Sequence, residues 1–220
     1  MKDYKRKFIK FLIDNDSLKF GEFKLKSGRI SPYFLNTGML HSGEAVYSLG
    51  RFYAETIMDR VKGEYNVVFG PAYKGIPLAV SCASSLYSVF SVNKFYSFNR
   101  KEAKTHGDTG GMIVGKPVEP DDRIILIDDV VTAGTAIRET IELLKSSGAP
   151  TIIAVVISVD RMEKGTGEIS AVQELKESEG IEFYPIVNVL EIIEYLESSN
   201  HPNLKHIEAM LEYRKKYGTN

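Results

Sequence analysis

The run RIILIDDVVTAGTAIRE, residues 123–139, places four apolar residues, Ile124 to Ile127, directly before two carboxylates, Asp128 and Asp129. The small-residue turn Thr132-Ala133-Gly134-Thr135 follows. Open α/β sheets bind ligands at the carboxyl ends of their strands, and the acid pair is expected at such an end. The turn offers backbone N–H groups. A helix starting near Thr135 points its positive end back at them, which suits a phosphate, and the Thr132 and Thr135 hydroxyls add donors. Two carboxylates repel a phosphate. Asp128 and Asp129 suit ribose hydroxyls, a divalent ion, or positive charge developing on a sugar. Taken alone, the acids could also be an exposed strand end and a helix N-cap. The apolar run before them and the turn after them favour a phosphorylated sugar instead.

Two further stretches carry chemistry. NRKEAKTHGDTGG, residues 99–111, sets Arg100, Lys101, Lys104 and His106 within seven residues and holds three glycines, Gly107, Gly110 and Gly111. Such a cluster can neutralise a polyphosphate, and the glycines would let the loop open and close. A solvated charged loop is the alternative, since Glu102 and Asp108 dilute the basic charge. In VVFGPAYKGIPLA, residues 67–79, an apolar run again meets a tight turn, Gly70 to Gly75, where Lys74 and backbone N–H groups could hold a second anion. The spacing is not that of a nucleoside-triphosphate P-loop. Two anion-binding turns, an acid pair and a basic lid are what a phosphoribosyl diphosphate substrate needs.

These pieces need a frame. Short apolar runs at Val67–Phe69, Ile124–Ile127 and Ile152–Val159 read as buried strands, and weaker ones lie at Val89–Val92 and Tyr184–Val189. Helical stripes lie between them: Val46, Leu49, Tyr53, Ile57 and Val61, then Ile137, Ile141 and Leu144 up to Gly148. Ile193 and Leu196, then Leu204, Ile207 and Leu211, predict two closing helices. The alternation predicts an α/β fold, a mostly parallel central sheet flanked by helices. A helix near 3–14 and a short strand at Phe23 and Leu25 ending in a Ser-Gly turn predict a small N-terminal cap or hood. The expected organisation is a single domain over 1–220, with about 1–40 contributing to the hood. The net charge of −1 favours neither nucleic acid nor a membrane surface. One cysteine, Cys82, rules out an intrachain disulfide framework and is read as packing. With no secretory h-region and no apolar run of membrane-spanning length, a cytoplasmic protein is expected.

IILIDDVVTAGTA resembles the phosphoribosyl-diphosphate motif of the type I phosphoribosyltransferases. KLKSGRISPYFLNTG, GPAYKGIPLA, NRKEAKTHGDTGG and SVDRMEKGTGE are similar, in the same order, to segments of the orotate phosphoribosyltransferases. The resemblance covers about residues 20–168. It implies transfer of the phosphoribosyl group from 5-phosphoribosyl 1-diphosphate to orotate, giving orotidine 5′-monophosphate and diphosphate in pyrimidine synthesis, with Mg²⁺.

By position, the resemblance gives diphosphate and ribose to Tyr73 and Lys74, and the closing loop to Arg100, Lys101, Lys104 and His106. Asp128 and Asp129 would face the ribose hydroxyls. Val130, Val131, Thr132, Ala133, Gly134, Thr135 and Ala136 would wrap the 5-phosphate. Lys26, Phe34, Leu35, Thr132 and Arg161 would surround orotate, with Arg161 on its carboxylate and Phe34 on its ring. Leu35 departs from a family pattern of two adjacent phenylalanines. Lys104, His106, Asp128 and Asp129 are the expected catalytic residues. Mg²⁺ is expected chiefly on substrate oxygens and water, near Asp128 and Asp129. The resemblance also implies a cis Ala72–Tyr73 peptide and a homodimer with active sites shared between subunits. The alternatives are a purine phosphoribosyltransferase of the same superfamily, which has no need of Arg161 for a carboxylate, and a non-catalytic sugar-phosphate-binding regulator.

Overall fold

The structure, a computed structural model, describes residues 1–25, 27–102, 111–165 and 167–219. A six-stranded sheet forms its centre. The strands are β3 (Val67–Gly70), β4 (Phe95–Asn99), β5 (Ile113–Gly115), β6 (Arg123–Asp128), β7 (Thr151–Asp160) and β8 (Glu182–Asn188), in the order β5-β4-β3-β6-β7-β8. All neighbours are parallel except β5, which runs antiparallel to β4 at one edge. The middle strands carry apolar stretches with side chains to both sides because both faces are covered. On β6, Ile124 and Leu126 point to one face and Ile125 and Ile127 to the other, and all four are buried. The first face meets α4 (Thr135–Ser146) through Ile137, Ile141 and Leu144, and α5 (Ala171–Glu179) through Leu175. The second meets α1 (Asp3–Asp14), α2 (Gly43–Arg60), α3 (Gly75–Phe90), α6 (Val189–Ser198) and α7 (Ile207–Tyr217).

The expected α/β architecture is present, and so is the N-terminal cap. β1 (Leu18–Lys24) and β2 (Ile30–Leu35) form a separate antiparallel hairpin. Helix α1 sends Phe8, Ile9 and Leu12 into the main core.

Three expectations are corrected. Val89–Val92 is not a strand. Buried Leu78, Ala79, Cys82, Ala83 and Leu86 recur at helical spacing and carry α3 through Phe90, where Ser91 closes it in the left-handed region at φ 57°. The strand is β4, a few residues later. Val189 belongs to α6, because the Asn188 side chain accepts the Glu191 N–H at 3.0 Å while Glu191 accepts the Asn188 N–H. In α7 the buried stripe is Ile207, Met210 and Tyr213, and Leu211 is exposed. Among the described residues, no helix is long and apolar enough to cross a membrane.

Candidate active site

β6 ends at the acid pair. Asp128 is its last residue, and Asp129 follows with only 4% of its surface exposed. The Asp128 carboxylate accepts the Asp129 N–H at 2.8 Å. Asp129 is fixed from β7: Ser158 donates its N–H to the Asp129 carbonyl at 2.8 Å and its hydroxyl to the same oxygen at 2.7 Å, with Asp129 Oδ1 at 3.2 Å. From α2, the buried Tyr53 hydroxyl donates to the Asp128 carbonyl at 2.8 Å. The acid pair is therefore gripped by two neighbouring elements. Burial pushes the Asp128 carboxyl up to about 6; the hydrogen bond from Asp129 opposes this and the Asp129 charge adds to it.

The turn after the acids straddles the sheet. Val130 packs on one core cluster and Val131 on the other. Thr132, Ala133, Thr135 and Ala136 are exposed, and Gly134 is buried at φ +76° immediately before α4. A β-carbon at Gly134 would lie 2.9 Å from Leu175 Cδ1, so a side chain there would be crowded as well as strained. Residues Asp128 and Val130 to Ile137 line a cavity of about 240 Å³. Unpaired N–H groups at a helix start, a positive helix end and two threonine hydroxyls make this cavity suitable for a phosphate.

The β3–α3 turn faces the same acids. Lys74 Nζ lies 3.0 Å from Asp129 Oδ2. Tyr73 is 71% exposed, and the Ala72–Tyr73 peptide is cis as expected. The Asn99 side chain, at the end of β4, accepts the Ala72 N–H at 2.8 Å. The basic segment begins at the same strand end. Asn99 pairs with Ile113, and Arg100 donates its N–H to Met112 at 2.7 Å and Nη1 to the Gly111 carbonyl at 3.2 Å. Lys101 is exposed. Lys104 and His106 lie outside the described residues, as does Lys26.

A second cluster joins the hairpin to the segment after β7. Arg161 reaches β2, with Nη2 3.1 Å from Ser31 Oγ and its guanidinium 4.3 Å over the Tyr33 ring. It is also bound by Glu163, whose Oε1 lies 2.8 Å from Nε and 2.6 Å from Nη2. On the same strand Phe34 is 38% exposed and stacks on Phe23 at 5.5 Å, while Leu35 packs on the core.

The structure thus unites Asp128, Asp129, Lys74 and the turn 130–136 at one place, and Arg161 with the strand carrying Phe34 at another. Sequence reasoning missed Tyr53, Asn99, Ser158 and Glu163 as supports. Ser158 was visible as the one hydroxyl in the apolar run Ile152–Val159, and Asn99 as the polar end of an aromatic strand. Tyr53 was indistinguishable from other members of a core stripe.

Comparison with known proteins fits this geometry. The family model "Phosphoribosyl transferase domain" matches residues 36–185. An orotate phosphoribosyltransferase of Colwellia psychrerythraea is 48% identical, covering 99% of this chain and 100% of the relative. One from Yersinia pestis is 49% identical, covering 99% of each. The crystal structure of orotate phosphoribosyltransferase from Francisella tularensis superposes with a TM-score of 0.86 at 40% identity, covering 97% of this chain and 100% of that one.

Proposed function

This chain belongs to the orotate phosphoribosyltransferases, which join orotate to the phosphoribosyl group of 5-phosphoribosyl 1-diphosphate, and we propose how its own residues carry that reaction. The observation that carries the proposal is the cavity at the start of α4 beside the buried acid pair, with Lys74 reaching the same acids from the opposite turn. The 5-phosphate sits on the N–H groups of the turn 130–136. Asp128 and Asp129 take the ribose hydroxyls and stabilise positive charge at the anomeric carbon as the bond to diphosphate breaks. Lys74 and Tyr73 take the diphosphate side. Arg100, Lys101, Lys104 and His106 add cations over the leaving group, and His106 assists proton movement. Orotate lies among Lys26, Phe34, Leu35, Thr132 and Arg161, its ring on Phe34 and its carboxylate on Arg161.

The donor set fits Mg²⁺ held mostly by substrate. Among the described residues, no three His, Cys, Asp or Glu side chains cluster as a metal cage, and Asp129 Oδ2 is engaged by Lys74. Asp128 is the carboxylate nearest to a suitable ligand, with substrate oxygens and water completing the shell. When bound, the ion neutralises charge on the departing diphosphate. We assign the enzyme to the cytoplasm, in keeping with its single buried thiol, and to a homodimer in which each basic loop serves the neighbouring site. Neither nucleic acid nor membrane enters this reading. Incubation with 5-phosphoribosyl 1-diphosphate, Mg²⁺ and orotate should yield orotidine 5′-monophosphate, with adenine, hypoxanthine and uracil consumed far more slowly. Preferred turnover of a purine would overturn the assignment.

A further inference from the structure

The C-terminal helix carries no motif, yet it reaches the orotate side of the site. Glu163 stands between. Its Oε1 takes both Nε and Nη2 of Arg161 and accepts the Tyr33 hydroxyl at 3.2 Å. Its Oε2 accepts the hydroxyl of Tyr213, on α7, at 3.2 Å, and Arg29 Nη1 lies 3.8 Å away. The backbone is fastened as well. Glu163 bridges Gly218 in antiparallel register, Lys164 donates its N–H to Tyr217 at 2.8 Å, and Thr219 donates to Met162 at 2.8 Å. The side chains of Arg161 and Glu163 are 13% and 14% exposed, so these contacts are only weakly screened by water.

This arrangement uses the guanidinium unevenly. The Nε and Nη2 edge is spent on Glu163 and Ser31, and the Tyr33 ring fixes the plane. Nη1 takes no part in the contacts to Glu163 and Ser31, and the Tyr213 hydroxyl lies close enough to act on the guanidinium as well as on Glu163. An arginine held along one edge presents its remaining donors in a fixed direction, so less side-chain entropy is lost when a carboxylate docks. Unheld, the same side chain would sample several rotamers.

We propose that Glu163, backed by Tyr213 of α7, is a positioning residue that orients Arg161 for the carboxylate of orotate, so that the C-terminal helix sets affinity for this substrate. The inference rests on the reading that Arg161 binds orotate. Four variants test it: Arg161→Ala, Glu163→Gln, Tyr213→Phe and Arg161→Ala/Glu163→Gln, each assayed for KM of both substrates, kcat and Tm. Glu163→Gln should raise the KM for orotate about tenfold or more, and Tyr213→Phe by about threefold, with the KM for phosphoribosyl diphosphate unchanged. In the double variant, the Glu163 change should add nothing beyond Arg161→Ala, because the two act as one unit. If Glu163→Gln and Tyr213→Phe leave the KM for orotate unaltered, lower it, or raise both KM values together, the positioning role is wrong. A lower KM would mean that Glu163 competes with orotate for Arg161. Tyr213→Phe removes one hydroxyl only, so it decides the matter should Glu163→Gln not fold. If Arg161→Ala itself leaves the KM for orotate unchanged, the reading of the orotate subsite fails first and takes this inference with it.

Discussion

Burial raises the Asp128 carboxyl to about 6, and this bears on both rate and stability. In the proposed reaction the Asp128 anion lies beside a sugar that becomes cation-like, so kcat/KM for phosphoribosyl diphosphate should fall as pH drops below about 6. Asp128→Asn should lower activity at every pH and remove that inflection from the pH profile. The sign for stability is opposite. A carboxyl raised in the folded state binds its proton more tightly there than in the unfolded chain, so its contribution favours folding at low pH and is lost as pH rises through about 6. At pH 7, Asp128→Asn should therefore raise Tm, by about 2–4 °C for each 1 kcal/mol of relief, as scanning calorimetry would register. An unchanged or lower Tm would mean that the acid is not held against its preference. Lys74 differs, since its side chain is 63% exposed while the Asp129 side chain it pairs with is 6% exposed. Lys74→Ala should raise the KM for phosphoribosyl diphosphate and lower Tm, because the buried Asp129 carboxylate loses its cation. The acids and Lys74 were legible in the sequence because each follows an apolar run. Their supports were not, because Tyr53 and Ser158 act only through contacts that chain folding creates.

Gly134 sets the join between β6 and α4, the turn proposed to hold the 5-phosphate. Its φ of +76° turns the chain from β6 into α4, and its missing β-carbon makes room for Leu175 of α5. Gly134→Ala should cost about 1–2 kcal/mol through the left-handed backbone and shift the turn that carries the N–H groups. Both a lower Tm and weaker binding of phosphoribosyl diphosphate are expected. Lower stability with unaltered binding would detach the turn from the phosphate. The sheet itself was readable because strands covered on both faces leave nearly continuous apolar runs, as at Ile124–Ile127 and, broken only by Ser158, Ile152–Val159. The reading failed at Val89–Val92, where a short apolar run fits either period and only the helix continuing from Leu78 decides it. It was also blind to the edge strand β5, whose three residues carry too little pattern to register.

For the whole molecule, the shared-site reading can be tested by mixing subunits. Lys104→Ala and Asp129→Ala homodimers should each be nearly inactive. After subunit exchange, a heterodimer would hold one site with both defects and one with neither, so activity should recover toward half of wild type per heterodimer. A mixture as inactive as its parents, with exchange verified, would show that each loop serves its own subunit. The joining of Asn99 to Ile113 and of Arg100 to Met112 sets a further limit. The chain therefore leaves at Arg100 and returns at Met112 at one spot, and the backbone length between them limits its reach. His106 lies six residues from either anchor, and a chain that long spans at most about 20 Å. The α-carbon of Lys104, four residues from Arg100, can lie no more than about 14 Å from it. These lengths act as a ruler for any assembly of two chains. A pairing that leaves the recipient's Tyr73–Lys74 turn beyond that reach, even with the lysine side chain outstretched, cannot share its cations with the leaving diphosphate, whatever area it buries.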